Sequence, residues 1–263
     1  AIHNDVKMLR YELNKQVVSI WTVEGRQEIP FQAGTYTTAM LESQQGESKL
    51  IVQRGKFYLL ATCDREEARE QDIEGYLGVD LGIANIAVDS DDDFYSGSHI
   101  NRVRHRHQSH RKKLQSNGSR SAKRKLKRWS GKEKRFAKDV NHCISKEIVS
   151  HAKCTKQAIV MEDLGGIRER AKAFGRAMRY RLHSWAFYDL QQKILYKAKL
   201  AGVQVIFVDP AYTSQRCSKC GHIDRANRKT QAKFECQSCG HASHADYNAA
   251  CNIAQSGAHS TVQ

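Results

Sequence analysis

Two Cys-x-x-Cys pairs, Cys217 with Cys220 and Cys236 with Cys239, are separated by fifteen residues. Four thiolates at that spacing suit a closed tetrahedral site for one Zn²⁺, which is then structural and not catalytic because no coordination position is left open. Gly221 and Gly240 follow the pairs and let each turn fold back so that both of its sulfurs face one ion. His222, His241 and His244 lie near but read as satisfied or solvated side chains. Seven positions beyond the last cysteine stands Asp246, close enough for a metal-folded turn to govern where its carboxylate points.

The acids imply a second, harder kind of coordination. Asp80 ends the apolar run YLGVD, and Glu162 with Asp163 ends AIVMED. In parallel neighbouring strands these acids would meet at the carboxyl ends, the edge of an α/β sheet where ligands gather. Carboxylates crowded there repel one another and take up protons unless divalent cations neutralise them. Taken singly, Asp80 also reads as the start of a turn before Gly82, and Glu162 or Asp163 as a helix cap. Asp91, Asp92 and Asp93 read as a solvated turn.

The elements around these residues follow from periodicity. KQVVSIW, SKLIVQ and KFYLLATC read as strands, the last two joined by a hairpin at Arg54-Gly55, and DREEAREQDIEG over 64–75 reads as a polar linker. YLGVDL, NIAVDS and FYSG form a predicted meander. Residues 102–135 carry dense positive charge split by SNGS, which predicts two basic helices in a hairpin. The second helix is expected to run on through FAKDVNHCISKEIVSHA on a stripe of Val140, Ile144 and Ile148. A basic segment from Gly165 to Arg181 precedes an amphipathic helix on Leu182, Trp185, Leu190, Ile194 and Ala198, closed by Gly202. VQVIFVDP is a further buried strand, and the order predicts an α/β sheet covered on both faces.

With 263 residues, 40% of them hydrophobic, the chain can bury one sizeable core and a smaller unit. It begins at Ala1 without a signal-peptide pattern, so a fragment of a longer protein is expected. No run approaches the ~20 apolar residues of a membrane span, and no membrane partner is expected. Cys63, Cys143, Cys154 and Cys251 fall where a small buried residue would fit, a reducing-compartment pattern with a metal site. The formal charge of +15 favours a polyanion, most commonly nucleic acid. Arg111, Lys112, Lys113, Lys123, Arg124, Lys125, Lys127 and Arg128 in the basic hairpin are the candidate phosphate contacts. Trp129 reads as a packing residue before a stacking platform, and Arg216 and Arg225 as solvated.

GVDLGIANIAV, IVMEDLGGIR, VDPAYTSQRCSKCG and CGHASHADYNAACNIA, read in order, resemble the TnpB family of transposon-encoded RNA-guided nucleases and the related compact type V CRISPR effectors. The likeness runs from about Ser48 to Ile253. It implies an RNase H-like RuvC nuclease fold with an inserted four-cysteine zinc ribbon, preceded by a partial β-barrel, or wedge, segment. The implied boundaries are 1–75 for the partial wedge and linker, 76–211 for the nuclease core with a basic helical insertion at about 99–153, 212–242 for the ribbon, and 243–263 for the last helix and tail. Asp80, Glu162 and Asp246 match the family's three metal-binding acids, which implies two Mg²⁺ (or Mn²⁺) ions and hydrolysis of DNA phosphodiesters, with guide RNA and target DNA as partners in a prokaryotic cytoplasm. Against the family's pattern, the helical lobe and early wedge strands are expected to be absent or truncated in this chain. An unguided transposase or resolvase would need a recognition element such as a helix-turn-helix, which the sequence does not show. A guide-dependent repressor without catalysis would be expected to lack the acids.

Overall fold

The structure is a computed structural model that describes residues 2–5, 7–53, 55–163 and 187–260. The chain divides into two compact units, 1–66 and 67–263. In the first, β1 (Ile2–Asn4), β5 (Gln44–Gln53) and β6 (Lys56–Cys63) form one antiparallel sheet, and β2 (Leu9–Glu12), β3 (Val17–Thr22) and β4 (Gly25–Pro30) a second, with the short helix α1 (Thr35–Leu41) between β4 and β5 in sequence. Leu9, Val18 and Ile20 are its buried centre, against which Tyr11, Phe31 and Leu59 pack. The Tyr11 hydroxyl donates to Ser48 Oγ at 3.2 Å. Three of these strands were legible as apolar runs; the mostly exposed β1, β4 and α1, and the short β2, were not. Arg54 of the expected hairpin turn lies outside the described residues, while Gly55 takes φ 75° there, a conformation glycine adopts without a Cβ penalty.

The second unit is built on a five-stranded sheet in the order β11-β10-β7-β8-β9: β7 (Gly75–Asp80), β8 (Asn85–Asp89), β9 (Phe94–Ser96), β10 (Gln157–Glu162) and β11 (Val205–Val208). The meander β7-β8-β9 is antiparallel, whereas β10 runs parallel to both β7 and β11. Strands buried on both faces need continuous apolar sequence, and Leu77, Val79, Ile159, Val160 and Met161 are all essentially inaccessible. One face carries Ile144, Ile148 and Ala152 of α4 (Lys132–Cys154) and Leu190, Ile194 and Ala198 of α5 (Phe187–Ala201). The other carries α6 (Ala245–Ser260), whose Ile253 packs with Val160 and Val208. Leu182, Trp185 and the segment Gly165 to Arg181 lie outside the described residues.

Between β9 and β10 stand three helices where the sequence predicts two: α2 (Ser98–Asn117), α3 (Arg120–Trp129) and α4. The expected continuous second helix is broken at Ser130-Gly131, because Gly131 takes φ 77° and starts α4 afresh. At the expected break, Ser119 caps α3 by accepting from the Ala122 amide at 3.2 Å. The expectation that Cys63, Cys143, Cys154 and Cys251 are small buried residues does not hold: Cys143 and Cys154 are exposed and the other two half-buried. Helix periodicity turns Cys143, Cys154 and Cys251 away from the centre of the core, and Cys63 ends strand β6.

Candidate functional site

The sheet sets the first two acids side by side. Met161 pairs with Val79 across the parallel β7-β10 ladder, so the next residues, Glu162 and Asp80, emerge together at the carboxyl ends of their strands. Asp163 leaves the cluster, being exposed, and its amide donates to the Val208 carbonyl at 3.0 Å. The third acid arrives on α6, which approaches the sheet closely enough that only glycine fits beneath it. A Cβ on Gly78 would lie 2.1 Å from the Ala250 carbonyl oxygen, and one on Gly257 would lie 2.4 Å from Val160 Cγ2. Asp246, in the first turn of this helix and 4% exposed, is thereby held over the sheet.

Two side chains hold Asp246 in place. Arg228 Nη2 donates to Oδ1 at 3.1 Å and Asn85 Nδ2 donates to Oδ2 at 3.1 Å. Glu162 Oε1 accepts a hydrogen bond from the Thr213 hydroxyl, and its backbone carbonyl accepts from Gln191 Nε2 at 3.2 Å. Burial, followed by the negative charges of Glu162 and Asp246, pushes the Asp80 carboxyl up to about 8, with the Arg228 guanidinium pulling the other way. A carboxyl raised by like charges takes up a proton unless a cation replaces it, and an all-oxygen donor set is the kind that holds a hard divalent ion. The three acids therefore fit divalent-cation binding in both donor type and charge.

The four cysteines make a different centre. Their sulfurs all lie within 4.8 Å of one another, the one group of three or more metal-ligating side chains so gathered among the described residues. Cys217 Sγ is 3.8 Å from Cys239 Sγ, and Cys220 Sγ is 3.6 Å from Cys236 Sγ. An ion bound tetrahedrally at about 2.3 Å from each sulfur needs an edge of ~3.8 Å, so the cage suits a metal. The two turns repeat one pattern: the Cys217 amide donates to the His222 carbonyl and Gly221 to Cys217, while Cys236 donates to His241 and Gly240 to Cys236, with Gly221 at φ 76° and Gly240 at φ 70°. The amides of Cys239 and Ser238 pull the Cys236 thiol down to about 6. None of the three nearby histidines joins the sulfur group: His222 is exposed, and His244 accepts from the Asp246 amide at 3.3 Å and meets Phe94 edge-on.

Between the cysteine pairs, Asn227 is wholly buried and spans the ribbon, donating to the Gln215 and His222 carbonyls and accepting from the Gln237 amide. This fixes the neighbouring Arg228, which reaches Asp246. The hairpin of β12 (Lys233–Glu235) and β13 (Ala242–His244) then runs directly into α6. Sequence reading missed Asn85, Thr213, Asn227, Arg228, Asn248 and Asn252. For the last two a signal existed: DYNAACN places asparagines among alanines on a helix otherwise suited to burial, where an amide persists only with partners.

The candidate phosphate contacts stand on α2 and α3. On α3, Ala122, Leu126 and Trp129 turn inward while Lys123, Arg124, Lys125, Lys127 and Arg128 are exposed. Lys112 and Lys113 on α2 are exposed too, whereas Arg111 pairs with Glu133 at 3.1 Å. Trp129 packs against His107 and His110, with Lys132 Nζ 5.0 Å from its ring centre, so it serves the helix contact. Arg216 and Arg225 are exposed. Asp91, expected in a solvated turn, accepts from His151 Nε2 at 2.8 Å in a loop organised by the buried Asp89. No described helix is long and apolar enough to cross a membrane.

Residues 60–165 match the family model described as a probable transposase of the OrfB type, and residues 187–253 match the Cas12f1-like TNB domain. The chain is 39% identical over 233 residues to the CRISPR-associated endodeoxyribonuclease Cas12f1 of Sulfoacidibacillus thermotolerans, covering 81% of this chain and 54% of the relative. It is 36% identical to the TnpB-like protein MJ0751 of Methanocaldococcus jannaschii, over 53% of this chain and 51% of that one. With the putative RNA-guided DNA endonuclease InsQ of Escherichia coli it shares 30% identity, over 77% and 54% of the two chains. Among solved structures, a CRISPR-Cas12f ternary complex superposes with a TM-score of 0.56 at 23% identity, over 94% of this chain and 51% of that one. The mini-RNA-guided endonuclease CRISPR-Cas phi3 gives 0.59 at 14% identity, over 92% and 57%. The fold is thus that of these effectors, and the chain spans about half the length of the curated relatives it matches.

Proposed function

We propose, from the premise that the chain belongs to the TnpB family with its compact Cas12f relatives, that it is the nuclease-bearing part of an RNA-guided DNA endonuclease. The observation that carries this reading is the convergence of Asp80, Glu162 and Asp246 from two parallel strands and a helix, close enough that the other two charges help raise Asp80 to about 8. Divalent cations held there, Mg²⁺ by the hardness of the oxygen donors, would supply charge stabilisation and an activated water for hydrolysis of a phosphodiester. The chain's own residues orient the acids: Arg228 and Asn85 fix Asp246, Thr213 engages Glu162, and the glycine contacts under α6 set its height above the sheet. Zn²⁺ is our assignment for the four-thiolate cage, on sulfur number and spacing. The exposed cations of α2 and α3 would hold the phosphates of guide RNA or target DNA.

The test uses the full-length protein with its co-purifying RNA. Asp80→Ala, Glu162→Ala and Asp246→Ala should each abolish cleavage of matched DNA and leave nucleic-acid affinity within about twofold, since a separate basic surface dominates binding. Normal cleavage by any of the three overturns the assignment of that acid. A protein that binds DNA without cutting it when all three acids are present, at saturating Mg²⁺, would favour the repressor reading.

A further inference from the structure

The second acid is held by the segment that leads into the cysteine ribbon. Thr213, 6% exposed, sends its hydroxyl to Glu162 Oε1; among the described residues its one other acceptor is the Pro210 carbonyl, 3.2 Å away, which is farther and uncharged. The Thr213 carbonyl accepts from Asn252 Nδ2 at 2.8 Å, and the same amide nitrogen lies 2.7 Å from the Arg216 carbonyl. Asn248 adds a second clamp, donating to the Arg216 carbonyl at 2.8 Å and accepting from the Ser218 amide at 3.0 Å. Both asparagines are buried and stand on α6, the helix that carries Asp246. Cys217, the first thiolate of the cage, lies inside the clamped segment.

The backbone is bent to make this contact. Tyr212, immediately before the threonine, takes φ 63°, a conformation uncommon for a bulky side chain, and its carbonyl accepts from both the Gln215 and Arg216 amides at 2.9 Å. Strained residues of this kind persist where surrounding contacts over-determine them, as the Asn252 clamp does here.

We propose that Thr213 is a positioning residue for Glu162, and that Asn252, by fixing the Thr213 backbone, ties the ribbon to the second acid as Arg228 ties it to the third. The proposal rests on the metal-binding reading of the three acids. Thr213 limits rotation of the Glu162 carboxylate before a cation arrives, so less freedom is lost on binding, and partners of this outer kind typically alter metal affinity about 10–100-fold. The ribbon then stabilises the cluster at two points, one of them reached through 51 residues of chain.

The experiment is a Mn²⁺ titration of the full chain, followed by the electron paramagnetic resonance signal of the free ion. Thr213→Val removes the donor at nearly constant shape, Thr213→Ser keeps it, and Thr213→Ala removes it without placing a methyl group against the carboxylate should valine disturb folding. We expect the valine and alanine variants to bind Mn²⁺ about 10-fold or more weakly, the serine variant to stay within about threefold of the original chain, and the ribbon's metal content to be unchanged in all. Unaltered Mn²⁺ affinity in a folded donorless variant overturns the proposal, as does equal weakening in the serine variant. If Asp80→Asn loses the ions while Thr213→Val keeps them, only the role of Thr213 falls. If Asp80→Asn binds Mn²⁺ as tightly as the original chain, the ions are not on these acids and both readings fall.

Discussion

Replacing Arg228 with Met removes one charge from the cluster and keeps most of the side chain's bulk. Its guanidinium lies 3.1 Å from Asp246 Oδ1, with side-chain exposures of 24% for the arginine and 6% for the aspartate. At that distance and an effective dielectric constant of ~20 the attraction is about 5 kcal/mol. Partial solvation of the arginine screens it, and Asn85 continues to hold Oδ2, so the net loss should be ~3 kcal/mol, the low end for stripping one partner from a buried pair. With a denaturant slope of ~2–3 kcal/mol/M this lowers the urea midpoint by about 1 M. Arg228 is also the charge that pulls Asp80 down, so its removal drives that carboxyl above about 8. A carboxyl raised in the folded state weakens the fold progressively as pH climbs from its ordinary value near 4 to its folded value, and costs nothing below both. Up to about pH 8 the folded carboxyl holds its proton in both proteins and they lose this stability alike, so the variant's extra deficit opens only above that and should be larger at about pH 9.5 than at about pH 6 in Mg²⁺-free buffer, and added Mg²⁺ should restore more stability to the variant than to the original chain. Urea titrations at both pH values, with and without Mg²⁺, measure this. A deficit under ~0.5 kcal/mol, or one equal at the two pH values, would show that Arg228 is a screened surface charge with no hold on the acids.

Three further outcomes are expected. Neutralising Lys123, Arg124, Lys127 and Arg128 together should weaken binding to all DNA sequences alike and flatten the dependence of log affinity on log salt by about 0.9 per lost phosphate contact; an unchanged slope in filter-binding titrations would make α3 a solvated face. Cys236→Ser should lose the ribbon's metal, whose binding can contribute on the order of 10 kcal/mol to its local fold, and abolish cleavage that added Mg²⁺ does not recover. Brief chelation of Mg²⁺ in the original chain, by contrast, should be fully reversible, and a zinc-free Cys236→Ser protein cutting at the normal rate would detach the ribbon from the acids.

What the sequence determined by itself was what depends on near neighbours along the chain. Apolar runs ending in Asp80 and Glu162 specify strands buried on both faces, and two Cys-x-x-Cys turns with their glycines specify a thiolate cage, because period and spacing are local quantities. The helical stripe of Ile144 and Ile148 was legible for the same reason. Where α4 begins was less so, since a glycine within a charged run ends a helix only when its backbone turns left-handed, as Gly131 does. Only the tertiary structure decided who holds the acids. Asn85 meets Asp246 across 161 positions, Thr213 meets Glu162 across 51, and Arg228 meets Asp246 across 18 through a ribbon folded around Asn227. No periodicity encodes those separations. They arise because α6 settles on the sheet only where Gly78 beneath it and its own Gly257 leave no Cβ in the way, and once it has settled, its buried amides are held by the partners that packing brings within reach.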